Sequence, residues 1–236
     1  LKGQERLSES DLLYFRSVAN QLLEGVPFQH IIGFTYFYDL KIKCDKRALV
    51  PRPETEELVD WMLKEEQKVG RILDICTGTG CIALAAKSVL KDAVTSGWDV
   101  SAEALLLANE NANNLNLAVD FKEVDFLKVE PSSEKWDVIF SNPPYIPIKE
   151  KEEMDKTVTD FDPDLALFVP DNEPLLFYVK LAEFAEKQLN TGGSLYLEIH
   201  ENYGSETMAL FDSKLFKIEL RQDMQGKDRM IRAQLV

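Results

Sequence analysis

Apolar residues recur at mixed three- and four-residue spacing through residues 8–25, where Leu12, Leu13, Phe15, Val18, Leu22 and Leu23 form a stripe that stops at Gly25. That period predicts one amphipathic helix. A single short helix cannot bury its own apolar face, so it is expected to pack on the main body or to belong to a larger helical module. In residues 34–44, aromatic and β-branched side chains flank Asp39 and the later half alternates apolar with basic, which predicts a hairpin. The run Pro51-Arg-Pro-Glu-Thr55 then breaks the chain. Residues 54–67 return to a helical period with Leu58, Val59, Met62 and Leu63 facing inward.

From Arg71 onward the period switches back and forth. Strand-like runs at 72–75, 93–98, 119–122 and 137–141 are interleaved with helix-like runs at 82–90 and 102–115. After an irregular stretch come a helix at 174–188, a strand at 194–199, a helix at 203–211 and two closing strands at 216–220 and 230–235. Such alternation predicts an α/β fold with a parallel sheet and helices on both faces. The two closing strands lack a helix between them, so the last is expected to insert antiparallel. The organisation read from these patterns is a helical region over 1–30, a linking hairpin over 31–50 and one main domain over 51–236.

Composition narrows the class. The 236 residues are 45% hydrophobic and 29% charged, too apolar for disorder, and no stretch approaches the roughly 20 uncharged residues of a membrane span. Asp and Glu number 41 against 27 Lys and Arg, and the formal charge of −14 repels a phosphate backbone at long range. Direct nucleic-acid binding is therefore not expected, and neither is a membrane partner. Cys44, Cys76 and Cys81 form no Cys-x-x-Cys pair, and neither His30 nor His200 lies near a second soft ligand, so no metal site is expected. Unpaired thiols fit a reducing, cytoplasmic setting.

Candidate chemistry begins after the first strand of the alternating region. Ile72-Leu-Asp-Ile-Cys-Thr-Gly-Thr-Gly-Cys81 places Gly78 and Gly80 in a strand-to-helix turn, at the edge where open α/β sheets bind ligands. Gly78-x-Gly80-x-x-Ala83 also fits the dinucleotide fingerprint, with Asp99 about 20 residues on. Asp74, just before the turn, suits a cationic amino group better than a pyrophosphate. Asp99 ends its own strand and can accept both hydroxyls of a ribose. A ligand with an ammonium group, a ribose and no phosphate satisfies both acids, and S-adenosyl-L-methionine is such a ligand. In that arrangement Asp125 accepts from the adenine amino group and Phe126 lies against the ring.

The most specific motif is Asp137-Val-Ile-Phe-Ser-Asn142-Pro-Pro-Tyr145. Two prolines after a buried strand fix the backbone and remove two N–H donors. Asn142 can offer its side-chain oxygen and Pro143 a backbone oxygen to the two hydrogens of one planar –NH2, with Tyr145 as a stacking face. This predicts a receptor for an amino group on a flat system. Adenine-N6 methylation of nucleic acid uses the same four residues on a flipped base, and a non-catalytic S-adenosylmethionine-binding module is the further alternative.

Together these motifs resemble the HemK-type release-factor glutamine methyltransferases. Gln29-His-Ile-Ile-Gly33, Leu49-Val-Pro-Arg-Pro-Glu-Thr-Glu56, the loop 74–80, Ser141-Asn-Pro-Pro-Tyr-Ile146, Ala166-Leu-Phe-Val-Pro-Asp-Asn172 and Asp228-Arg229 stand in that family's order and spacing. The resemblance implies the Rossmann-like, seven-stranded class I methyltransferase fold. It also implies N5-methylation of the glutamine in the Gly-Gly-Gln loop of class I peptide-chain release factors, with S-adenosyl-L-homocysteine as the second product. By the same resemblance Cys76, Thr77, Gly78, Thr79, Gly80, Asp99, Phe126 and Asn142 contact the cofactor. Asn142, Pro143, Pro144 and Tyr145 hold the substrate glutamine, and Arg52, Glu54 and Thr55 help to close the pocket. A monomer is expected. Cys76 stands where the family usually has Gly, which demands an unusual backbone angle of a residue with a side chain. Phe126 takes a place often held by a larger or different side chain. The family's helical N-terminal module is longer than residues 1–25, so the release-factor docking region is expected to be partial.

Overall fold

The computed structural model describes residues 8–66, 68–130 and 132–236. Helix α1 (Glu9–Leu23) opens on a reciprocal cap in which the Ser8 hydroxyl accepts from the Asp11 N–H and the Asp11 carboxylate accepts from the Ser8 N–H. None of its residues is buried, and Leu12, Leu13, Phe15, Leu22 and Leu23 all face solvent. The stripe is thus helical as expected but stays largely exposed. Residues 1–7, the start of the expected docking region, lie outside the described residues.

After the short α2 (Phe28–Ile32), strands β1 (Phe34–Phe37) and β2 (Leu40–Lys43) form the expected antiparallel hairpin. Tyr38 and Asp39 make its two-residue turn, both at positive φ, the hand that matches strand twist. Helix α3 (Pro53–Glu65) begins with proline in its first turn, where a missing N–H costs nothing. It buries Thr55, Leu58, Val59, Trp61 and Met62, while Leu63 is only half-buried. Gln67, the expected end of this helix, is outside the described residues.

The main sheet follows the predicted alternation: β3 (Arg71–Ile75), α4 (Cys81–Val89), β4 (Val94–Asp99), α5 (Ala102–Leu115), β5 (Asp120–Glu123) and β6 (Trp136–Ser141). The stretch read as irregular holds a two-residue parallel pair, β7 (Ile146–Pro147) with β8 (Phe168–Val169), and two single-turn helices, α6 (Lys156–Thr159) and α7 (Asp164–Leu167). Next come α8 (Leu176–Gln188), β9 (Leu189–Glu198), α9 (Gly204–Met208), β10 (Phe216–Gln222) and β11 (Asp228–Leu235). The strand order is β10-β11-β9-β6-β3-β4-β5. The five strands from β9 to β5 are parallel, and β11 inserts antiparallel between β9 and β10 as expected.

Two elements differ most in length from the pattern reading. Strand β9 starts earlier than residue 194, and its register on β6 shifts between Trp136 and Val138. Backbone crowds this bulge: a Cβ at Gly193 would lie 2.8 Å from the Asp137 carbonyl oxygen. Helix α9 stops early because its last amides tighten to three-residue bonds, Leu210 N–H to Thr207 and Phe211 N–H to Met208. The sheet is covered on both sides. One core joins the α3 and α4 side chains to Phe140 and Tyr196, and the other joins α8 to Leu73, Ile139, Leu195 and Ile231.

Candidate active site

Five parallel strands end at one edge, and each delivers polar groups there: β3 the loop 76–80, β4 Asp99, β5 Asp125, β6 Asn142 and β9 Glu198. That edge beside the β3–β6 crossover is where an open α/β sheet leaves a crevice. A cavity of about 310 Å3 occupies it. Its lining includes Arg52, Thr55, Cys76, Thr77, Gly78, Thr79, Asp99, Asp125, Phe126, Asn142 and Pro144 of the residues singled out from sequence. Asp74, Gly80, Glu54, Pro143 and Tyr145 are not among the lining residues.

The loop after β3 is braced from within. Cys76 takes φ 62°, the left-handed conformation that a glycine would adopt freely, and Gly78 and Gly80 follow at 54° and 80°. Burial pushes the Cys76 thiol up, with Asp99 and Asp74 adding to it, so it stays protonated. The Thr77 N–H donates to the Trp98 carbonyl at 2.9 Å, and the Gly78 N–H donates to Asp99 Oδ2 at 2.9 Å. Gly80 caps α4 and makes room for packing, since a Cβ there would meet Phe121 Cζ at 2.8 Å.

Asp74 corrects an expectation. It was expected to face a ligand's ammonium, but it is fully buried beneath the loop. One carboxylate oxygen, Oδ2, accepts from the Thr77 hydroxyl at 2.5 Å and from the Ala83 N–H at 3.2 Å, tying the loop to the first turn of α4. Oδ1 has no partner among the described residues. Burial pushes this carboxyl up to about 7.

Asp99 keeps its place on the wall. Its Oδ1 accepts from the Ser101 N–H at 2.9 Å and its Oδ2 from Gly78, so two backbone amides orient a carboxylate that still has lone pairs for hydroxyl groups. Burial raises its pKa against the pull of those amides. Asp125 is more open and pairs with Lys128 Nζ at 2.7 Å, which lowers its pKa. Phe126 is buried edge-on against Phe184, with ring centroids 5.3 Å apart, and contributes an apolar wall.

At the end of β6 the Asn142 side chain donates Nδ2–H to Thr55 Oγ1 at 3.1 Å. Among the described residues no donor reaches Asn142 Oδ1 or the Pro143 carbonyl oxygen. Thr55 in turn donates to Glu198 Oε2 at 2.6 Å, and the Tyr145 hydroxyl donates to Glu198 Oε1 at 3.1 Å. Tyr145 therefore stands behind the cavity lining, with its polar end committed to Glu198. Burial raises the Glu198 pKa, opposed by the Thr55 and Tyr145 bonds and by Arg229. Sequence reasoning missed Glu198, although the signal existed: an acid at the carboxyl end of an apolar strand, as at Asp99. Arg52 donates to the buried Asp162 at 3.0 Å and joins the pre-α3 segment to the chain around α7, whose Leu165 and Ala166 also line the cavity. Glu54 stays outside, accepting from Gln225 Nε2 at 3.4 Å.

These residues fit S-adenosylmethionine better than a dinucleotide. The loop amides of Thr77, Gly78 and Gly80, which a pyrophosphate would need, already donate within the protein, and the Asp99 carboxylate would repel it. Asp99 would hold the ribose and Phe126 would lie against the adenine, and Asn142 lines the same cavity.

A seven-stranded sheet with this order and a crevice at the ends of its parallel strands is the Rossmann-like fold of class I methyltransferases. A methyltransferase from Pyrococcus furiosus shares the fold, with TM-score 0.60 and 21% identity over 95% of this chain and 99% of that one. The Methyltransferase small domain family matches residues 54–161. Over 233 residues the chain is 42% identical to the release factor glutamine methyltransferase of Flavobacterium psychrophilum, covering 96% of this chain and 82% of the relative. It is 40% identical over 231 residues to the enzyme of the same name from Lactococcus lactis, covering 97% and 84%. The chain belongs to the release factor glutamine methyltransferase family.

Proposed function

We propose that this protein transfers a methyl group from S-adenosyl-L-methionine to the side-chain amide nitrogen, N5, of the glutamine in the Gly-Gly-Gln loop of class I peptide-chain release factors. The observation that carries the reading is at the end of β6: among the described residues no donor reaches Asn142 Oδ1 or the Pro143 carbonyl oxygen, while Asn142 Nδ2 is engaged. Two acceptors from adjacent residues would select a group with two N–H bonds, which a primary carboxamide has and a carboxylate lacks.

Amide nitrogen is a poor nucleophile because its lone pair is delocalised, the resonance behind a rotation barrier of about 18–20 kcal/mol. When bound, the cofactor supplies a methyl group activated by its sulfonium. Asn142 and Pro143 hold the –NH2 and stabilise the positive charge that grows on nitrogen, and they need no reorganisation to do so. Pro143 and Pro144 fix the backbone that aims these oxygens. Asp99 would orient the ribose, and Leu165 and Ala166 add apolar lining to the cavity. No general base is needed beforehand, since the alkylated nitrogen is acidic enough to lose its proton afterwards.

The test is incubation with labelled S-adenosylmethionine and a purified release factor, followed by mass mapping of the label. Label on the glutamine amide is the expected result, and label elsewhere, or none, rejects the reading. Asn142→Ala is expected to lower kcat by about 10²-fold or more while cofactor affinity, measured by calorimetry, stays within a few-fold. Undiminished turnover in that variant would reject the acceptor role.

A further inference from the structure

A carboxamide has nearly the same shape either way round, so packing alone does not decide whether Asn142 shows the cavity an oxygen or an –NH2. We propose that Glu198 makes that decision, acting on Asn142 through the Thr55 hydroxyl and anchoring Tyr145 directly, so that Glu198 and Thr55 are positioning residues of the acceptor site. The inference rests on the reading of the site given above.

The argument is one of donor counting. Thr55 has one hydroxyl hydrogen, and that hydrogen goes to Glu198 Oε2 at 2.6 Å. Both Glu198 oxygens act as acceptors, Oε2 from Thr55 and Oε1 from Tyr145, so Thr55 Oγ1 is left with lone pairs alone on its other side. The group 3.1 Å away must then be a donor, and on Asn142 that is Nδ2. With Nδ2 turned inward, Oδ1 points away from Thr55, and no donor among the described residues reaches it. Reversing the amide would set two acceptor oxygens against each other in a place where Thr55 and Glu198 are both buried. The second carboxylate oxygen takes the Tyr145 hydroxyl, so one side chain on β9 holds both ends of the Asn-Pro-Pro-Tyr bend. Thr55 lies in the first turn of α3 but makes no cap there; the helix has no side-chain cap bond, which leaves the hydroxyl to this chain of bonds.

The test uses the full chain labelled with 15N-asparagine. The Asn142 side-chain –NH2 signals are assigned by their disappearance in Asn142→Asp, and their exchange with water is measured alongside kcat and KM on a release factor. Thr55→Val keeps the volume and removes the hydroxyl. It is expected to abolish the exchange protection and lower kcat about ten- to a hundredfold, with KM and cofactor affinity within about twofold. Thr55→Ser is expected to recover protection and most of kcat. Glu198→Gln, which can offer a donor to Thr55, is expected to give a second set of Asn142 signals and a reduced kcat; if Thr55→Val does not fold, this variant is read in its place. Unchanged protection and kcat in Thr55→Val, or Thr55→Ser as impaired as Thr55→Val, would overturn the proposal. If the wild-type protein leaves release factors unmodified while the Asn142 signals respond as described, the substrate reading fails and the orientation chain stands.

Discussion

Asp74, Asp99 and Glu198 all sit at or beside the carboxyl ends of buried strands, and the fold gives each a different task. Asp74 holds the loop, Asp99 faces the ligand crevice, and Glu198 stands behind the residues that would grip the substrate. Sequence position alone made Asp74 and Asp99 conspicuous, because an acid in an apolar run before a glycine turn demands a partner. It could not assign their directions, which depend on the neighbour each strand acquires. The task of Asp74 has a measurable signature. With its carboxyl raised to about 7, the folded protein retains a proton that the unfolded chain, near 3.9, has released. This contribution to stability is therefore full at acid pH and is lost as pH rises through about 7, at up to about 1.4 kcal/mol per pH unit. Asp74→Asn is expected to flatten the fall of Tm between about pH 4 and pH 7, the remaining slope coming from other buried carboxylates such as Asp99, which burial shifts the same way. Equal slopes in variant and wild type, by thermal unfolding, would show that Asp74 is ionised throughout.

Among the elements, those with an unbroken period were legible from the chain alone: α5 over Ala102–Leu115 coincides with its predicted bounds, and the hairpin and antiparallel last strand are where the pattern put them. The pattern failed where tertiary contact overrides it. The one-turn α9, the early start of β9 at its bulge and the β7–β8 pair depend on packing partners distant in sequence, and no local period encodes those. Gly97 shows how tightly the elements under the cavity fit. A Cβ there would lie 2.6 Å from the Phe121 ring and 2.8 Å from Thr77 Oγ1, wedging β4 away from both β5 and the loop. Gly97→Ala is expected to cost about 1–3 kcal/mol in urea unfolding and to weaken cofactor binding by displacing Thr77. A variant with an unchanged urea midpoint would mean that Phe121 can swing clear.

At the scale of the whole molecule, the fold class followed from alternation, while the order of strands did not. The absence of a helix between the closing strands says that the last inserts antiparallel, but not that its neighbours are β9 and β10. That insertion makes residues 228–235 a structural centre: Met230, Ile231, Arg232 and Ala233 are buried, and Met230 pairs with Glu198 in register. Removing residues 228–236 is expected to abolish cooperative thermal unfolding, followed by circular dichroism, and not merely to trim an edge. A sharp transition in the shortened chain would contradict this account of the sheet.

The same insertion bears on how the protein is born. A nascent chain leaving the ribosome would present β3, β4, β6 and β9 long before the strand that borders β9 has been synthesised. Until residues 228–235 emerge, Glu198 lies on an unprotected margin, so the bonds that Glu198 makes to Thr55 and Tyr145 would settle only after the strand that borders β9 has been made.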